Sequence, residues 1–168
     1  PPASPRWVQS DYWFRSDNGD ETSATELAEN ILKNTRLKIN DQNDFNGAKI
    51  FRLRFGFRVQ QNSGTIKPQL QFIDEESGCA GTENWRTVTA STTRFILRNS
   101  QNIANGEATT QQITAGGNFS SGKMLDTENP AAEAQTITKN YRTEYEWSLE
   151  DTVGEFHQTA GRVYSFRL

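Results

Sequence analysis

Strict alternation of apolar and polar residues runs through two segments of the chain. In Phe51–Val59 every odd position is apolar and every even position is polar or glycine. Tyr141–Leu149 is a second such run, with Tyr141, Tyr145, Trp147 and Leu149 on one face and Arg142, Glu144 and Glu146 on the other. A period of two residues is that of a β-strand with one buried face. Both segments are therefore predicted to be strands whose apolar faces meet a common core.

Weaker alternation predicts further strands, with turn-forming residues between them. These strands are Trp7–Arg15, Thr35–Asn40, Ile66–Ile73, Trp85–Thr89, Arg94–Arg98, Gln111–Thr114 and Arg162–Leu168. Because Pro68 cannot donate to a ladder, its strand is expected at an edge or with a bulge. Asn46-Gly47 and Asn105-Gly106 suit tight turns. Strands separated by turns predict an all-β fold, an antiparallel β-sandwich of jelly-roll or immunoglobulin-like type.

Two segments depart from this pattern. Apolar residues near helical spacing follow Thr22 or Ser23, which suit a helix cap, so at most one short helix is predicted, around residues 22–33. Gly116–Lys139 is rich in small polar residues and is predicted to be a loop that crosses the sandwich.

Composition narrows the core. Only 33% of the 168 residues are hydrophobic but 11% are aromatic, so the core must be thin and built from large rings and β-branched side chains. The length fits a single domain. The predicted core is Phe51, Leu53, Phe55, Phe57, Val59, Leu70, Phe72, Trp85, Tyr145, Trp147, Tyr164 and Phe166.

Charge and the N-terminal residues limit the partners. The net charge is -3 and no basic block is present, so no nucleic-acid partner is expected. No apolar run approaches the length of a membrane span, so no membrane insertion is expected. Three of the first five residues are proline, which favours an extended chain. Residues 1–8 are therefore predicted to be an extended N-terminal segment, and residues 9–168 the sandwich domain.

The charged faces of the two strongest strands predict cross-strand ion pairs. If the strands share a sheet, Arg52, Arg54 and Arg58 can meet Glu144 and Glu146, with about 0.2–1 kcal/mol per pair. The pattern indicates a solvated face. A glycosidase would instead need two carboxylates across a cleft.

Residues for nucleophilic catalysis are sparse. The one histidine, His157, lies in a polar stretch and is interpreted as an exposed loop residue. The one cysteine, Cys79, lies in a glycine-containing loop without a neighbouring histidine to activate it. We therefore expect no enzymatic activity.

Calcium is the one cofactor that the sequence suggests. Asp17, Asn18 and Asp20 place several oxygen ligands in one turn, and 41–44 repeats the composition, although neither matches an EF-hand loop. Solvated acidic turns are the alternative interpretation.

Aromatic residues offer a second kind of site. Trp7, Tyr12, Trp13, Trp85 and Trp147 could form a platform for sugar rings, or they could belong to the core. Since Tyr12 and Trp13 are neighbours on a strand, they must point to opposite faces.

Three segments in order resemble the start of a known module type. Trp7–Asn18, Glu26–Asn30 and Phe51–Arg54 are similar to the opening of β-sandwich modules in large secreted surface proteins of Patescibacteria-type ultrasmall bacteria. Later segments resemble the rest of that module, namely Leu70–Phe72, Cys79, Trp85–Val88 and Val163–Leu168. The resemblance spans most of the chain and implies an extracellular or cell-surface location.

Two departures from these modules lead to a hypothesis. The modules carry a second cysteine in the closing strand, where this chain has Ser165, and they continue into one more strand. The resemblance thus implies an unpaired sheet edge, which the N-terminal segment of another copy could complete by strand addition. The residues expected in this contact are Pro1, Pro2, Pro5, Trp7, Val8, Tyr164, Phe166 and Leu168.

These observations favour one function and leave two alternatives. The first is a structural subunit or module of an extracellular surface fibre, whose partners are copies of itself. The second is a carbohydrate-binding or adhesin module for surface glycans, and the third is a viral capsid or tail-fibre protein. The carbohydrate-binding or adhesin alternative predicts exposed aromatic rings along a groove.

Overall fold

The computed structural model describes residues 4–27, 32–35, 37–38, 50–74, 85–91, 94–126, 134–152 and 163–168. Within these ranges the chain forms eleven β-strands and no helix. The strands are β1 Arg6–Ser16, β2 Leu37–Lys38, β3 Ile50–Gln60, β4 Gly64–Ile66, β5 Gln71–Asp74, β6 Arg86–Thr87, β7 Phe95–Leu97, β8 Met124–Leu125, β9 Gln135–Ile137, β10 Arg142–Asp151 and β11 Val163–Arg167.

The strands form two larger sheets and one small one. The first sheet has the order β1-β3-β10-β7, with β8 parallel to β10. The second has the order β2-β11-β5-β6, and β4 pairs with β9. All other strand pairs are antiparallel. The all-β, sandwich-like fold predicted from the alternating pattern is confirmed.

Aromatic rings join the two larger sheets. The ring of Phe95 in β7 lies 5.1 Å from those of Phe72 in β5 and Tyr164 in β11. Phe14 of β1 lies 5.6 Å from Phe166. Of the predicted core residues, Phe166 is partly buried against the core and Trp85 lies outside it, so the prediction was wrong for Trp85. The other ten predicted residues are buried in one cluster.

A β-bulge keeps the apolar face of β1 toward this core. The register shifts between Gln9 and Tyr12, so that Ser10 and Asp11 stand opposite Gly56 of β3. In a regular strand, Gln9 and Tyr12, which are three positions apart, would point to opposite faces. The bulge restores Tyr12 and Phe14 to the core face.

Several predicted elements differ in the structure. The predicted strand around Pro68 is split, because β4 ends at Ile66 and β5 begins at Gln71. The predicted loop Gly116–Lys139 contains β8 and β9. The helix prediction is wrong where the chain is described: residues 21–23 form a turn, and Glu26 bridges to Arg15. Residues 28–31 lie outside the described ranges.

In the described ranges we find no helix of the length and apolarity that a membrane span requires.

Candidate functional site

The charged face of the first sheet is buried. Arg52 and Arg54 of β3 and Glu144 and Glu146 of β10 point away from the aromatic core, as the alternation predicts, yet all four are buried. The prediction that this face is exposed to solvent is therefore wrong. Residues 100–122, here called the covering segment, lie on this face and contact it through the bonds described below. Together with Arg15, Asp17 and Glu21, the four residues form what we call the charge network.

Arg54 is the centre of the charge network. Its Nε lies 2.7 Å from Oε2 of Glu144, and its Nη1 lies 2.8 Å from Oε2 of Glu146. Its Nη2 donates to Glu21 and to the carbonyl of Thr110. Burial would lower the pKa of Arg54, but the charges of these three carboxylates outweigh it and raise the pKa. The guanidinium is therefore charged although it is buried.

Glu144 fastens the covering segment to the sheet. Its carboxylate accepts hydrogen bonds from the main-chain N–H groups of Gln112, Ile113 and Thr114 at 2.8–3.0 Å. The hydroxyl of Thr114 donates to it at 2.8 Å. Because these donors turn toward one carboxylate, Gln111–Thr114 does not form the predicted strand.

Glu21 also holds the covering segment in place. Its carboxylate accepts hydrogen bonds from the N–H and hydroxyl of Thr110, both at 2.8 Å, and from Nε2 of Gln112 at 3.2 Å. Burial would raise the pKa of Glu21, but the hydrogen bond and charge of Arg54 and the bonds from Thr110 hold the pKa below its ordinary value of 4.5. The folded protein thus favours the ionised form.

The lowered pKa of Glu21 predicts an acid-sensitive stability. A carboxylate with a lowered folded pKa stabilises the protein above its unfolded pKa, and this contribution is lost as the pH falls through the folded pKa. We expect the free energy of unfolding to decrease as the pH is lowered below about 4.5. Denaturant titrations between pH 3 and pH 7, conditions chosen to bracket that value, should show that the free energy of unfolding decreases less steeply with falling pH in Glu21→Gln than in the wild type. Glu26→Gln, an exposed change nearby, should follow the wild type; equal slopes for both variants would contradict the assignment.

Two further arginines complete the charge network. Nη1 of Arg15 lies 3.0 Å from Oε2 of Glu146. Burial, with the neighbouring charges of Arg54 and Arg52, lowers the pKa of Arg15 despite Glu146. Nε of Arg52 lies 3.4 Å from Oδ1 of Asp17.

The residues suggested for calcium have other partners. The carboxylate of Asp17 accepts hydrogen bonds from the Ser100 hydroxyl at 2.7 Å and the Gln101 N–H at 3.2 Å. Asn18 exchanges hydrogen bonds with Thr25. Asp20 caps its own turn, and hydrogen bonds from Ser23 and Thr22 lower its pKa to about 2. Each of these three side chains is thus bonded to a different set of protein groups.

The described part of the chain holds no group of three or more His, Cys, Asp or Glu side chains that could bind a metal ion. The other suggested calcium segment, 41–44, lies outside the described residues, as do His157 and Cys79.

An open groove lies at one end of the sandwich and is here called the end groove. Its volume is about 400 Å³, which falls in the range of small-molecule sites. The start of β1, the connection between β4 and β5, and the end of β11 enclose it. Its apolar lining comes from Trp7, Phe57, Ile66, Pro68 and Leu168.

Polar side chains of one type stand around this apolar lining. Gln9, Gln69 and Gln71 line the end groove together with Lys67. The side chains of Gln9 and Gln69 are exposed and form no hydrogen bond within the described residues. Oε1 of Gln71 accepts a hydrogen bond from Nε of Arg167 at 2.9 Å. The end groove therefore combines an apolar floor with amide groups.

The residues predicted for self-association are distributed over several places. Trp7 and Leu168 line the end groove, while Tyr164 and Phe166 pack in or against the core. Val8 pairs with Arg58 of the same chain. Pro5 packs directly over Gly64, where a Cβ atom would lie 2.5 Å from the proline ring. Pro1 and Pro2 lie outside the described residues.

The five aromatic residues predicted as a possible platform for sugar rings also lie in different places. Trp147 is in the core, and Tyr12 packs against it. Trp13 points to the opposite face, as predicted, where Arg15 and Lys33 lie 4.8 and 4.7 Å from its ring centre. Trp85 lies under Arg167 at 4.2 Å. Of these five rings, the structure brings Trp7 to the end groove.

Sequence reasoning missed the three glutamines of the end groove. Gln69 and Gln71 flank a buried leucine next to Pro68, so their alternation indicated exposure but not a shared site. Only the pairing of β11 with β5 brings Leu168 and Gln71 to one end.

Comparison with known proteins gives no match to a family model, to a curated protein or to a solved structure.

Proposed function

We propose that this chain is a non-enzymatic structural module of an extracellular surface fibre, and that its partners are copies of itself. The observation that supports this proposal most is the charge network. Its buried ion pairs hold the carboxylates of the sheet in place, and one of these, that of Glu144, accepts the main-chain hydrogen bonds that keep the covering segment on the sheet.

Buried ion pairs suit a rigid building block better than a catalytic centre. The carboxylates of Glu144 and Glu146 contact arginines and main-chain amides, and they are buried. Replacing such pairs with apolar residues is often neutral for stability, whereas breaking one is costly, so a network of this kind chiefly favours one specific arrangement. A fixed surface is what a repeating assembly needs from its subunits.

One edge of the first sheet supports self-association. Val59 exchanges hydrogen bonds with Tyr141 and Asn140 on the β10 side of β3, so its pair with Trp7 is not hydrogen-bonded. The main-chain groups of Trp7, and by alternation those of Gln9, therefore point away from β3. Within the described residues they have no strand partner. Strand addition by a neighbouring copy requires such an edge.

We expect filaments at high protein concentration, visible by electron microscopy and as large species in sedimentation velocity. Gln9→Pro removes one outward N–H group and leaves the bonds to β3 in place, so it should abolish assembly. Gln9→Ala keeps the N–H group and should assemble like the wild type. A compact wild-type monomer at high concentration, or normal assembly of Gln9→Pro, would contradict this mode of association.

A further inference from the structure

We propose that the end groove binds a glycan chain, with a pyranose ring on its apolar lining and hydroxyl groups on its glutamines. This inference goes beyond the structural function and does not depend on it. It rests on the residue types that the end groove brings together and on how one of them is positioned.

The apolar lining matches the C–H faces of a sugar ring. Trp7 is half-buried, and its indole N–H forms no hydrogen bond within the described residues. A ring of this kind offers an apolar surface and a polar edge to the same ligand. Pro68 and Leu168 extend the apolar surface beside it. Sugars have the same division between C–H faces and hydroxyl edges.

The glutamines match the hydroxyl edges. Each side-chain amide has a carbonyl acceptor and two N–H donors, so it can bond to both functions of a hydroxyl group. In Gln71 the Oε1 atom accepts from Arg167, whose guanidinium lies 4.2 Å from the centre of the Trp85 ring. This contact holds the amide in place, while its Nε2 atom forms no hydrogen bond within the described residues and can donate to a ligand hydroxyl. Arg167 is thus a positioning residue, and such preorganisation lowers the entropic cost of binding.

The same lining is a poor match for a peptide strand. Lys67–Leu70 is not in a strand, and Pro68 lacks a main-chain donor, so this wall cannot form a continuous ladder. No carboxylate lines the end groove among the described residues, and Lys67 is its one cation. The ligand is therefore either an uncharged glycan or one that carries uronic acids, and both present the same ring and hydroxyl groups.

The test uses an array of neutral and uronic-acid oligosaccharides, followed by calorimetric titration of the best binder. Gln69→Ala and Gln71→Ala should each weaken binding about tenfold, as expected for one lost hydrogen bond. Gln101→Ala, an exposed glutamine elsewhere, should bind like the wild type. Arg167→Met should weaken binding alone but add little to Gln71→Ala, because both changes remove the same interaction.

Three outcomes would overturn the proposal. They are no binding in either arm of the array, full affinity in both groove variants, and binding of the synthetic peptide Pro1–Pro5 in place of every oligosaccharide. Circular dichroism of each variant confirms that the fold is intact, so a loss of affinity cannot be a loss of structure. Because filament formation is measured separately, failure here leaves the structural proposal open to its own test.

Discussion

Replacing Arg54 with methionine is expected to lower the free energy of unfolding by about 3–5 kcal/mol, the usual cost of breaking a buried ion pair from one side. The change leaves Glu21, Glu144 and Glu146 buried without their common cation. Methionine fills part of the volume, so lost packing contributes little. Urea denaturation monitored by tryptophan fluorescence measures the effect.

Arg58→Met provides the matched control for that measurement. Arg58 lies on the same strand and the same face but is partly exposed, and its partner across the sheet is Arg142. We expect a loss below about 1 kcal/mol, as for exposed charges in general. If both variants lose the same amount, the charge network does not have the energetic role assigned to it.

The second large effect is expected for Gly122→Ala, at about 3 kcal/mol. A Cβ atom at this position would lie 1.9 Å from the carbonyl oxygen of Glu144, which is main chain and cannot rotate away. The end of the covering segment would have to move off β10, and the short parallel pairing of β8 would be lost with it.

Ser121→Ala is the control for this change, since Ser121 is the exposed neighbour of Gly122. It should leave stability unchanged within about 0.5 kcal/mol. Hydrogen exchange at Met124 and Leu125 should rise in Gly122→Ala alone. Unchanged protection at these two amides would show that the close approach of Gly122 to β10 is not needed.

Alternation predicted the two central strands and which side chains share a face. It predicted that Arg54 can meet Glu146 across the sheet, and the structure places these two residues directly opposite each other. It could not show that the charged face is covered. Thr110 of the covering segment lies 56 positions after Arg54, and the bonds of this segment depend on main-chain groups that have no sequence pattern.

The bulge in β1 is a second feature that the alternating pattern could not predict. Alternation through Trp7–Arg15 predicts a strand, but it gives no sign of the extra residue between Gln9 and Tyr12. Gly56 opposite the bulge is the local signal: a Cβ atom there would lie 2.4 Å from the Thr114 side chain. A glycine within an otherwise alternating strand thus marks a place where the covering segment approaches the sheet closely.

The long sequence separation within the charge network has a consequence for the order of folding. Glu21 and Thr110 are 89 positions apart, and Arg54 and Glu144 are 90 apart. Closing such loops is slow and gains nothing until both ends meet. Because the anchors of the covering segment come from β3, β10 and the turn after β1, that segment has no surface to dock on before the sheet is assembled. We therefore expect the covering segment to become ordered after these strands, and the arginines of a nascent chain to stay hydrated until Tyr141–Leu149 has been synthesised.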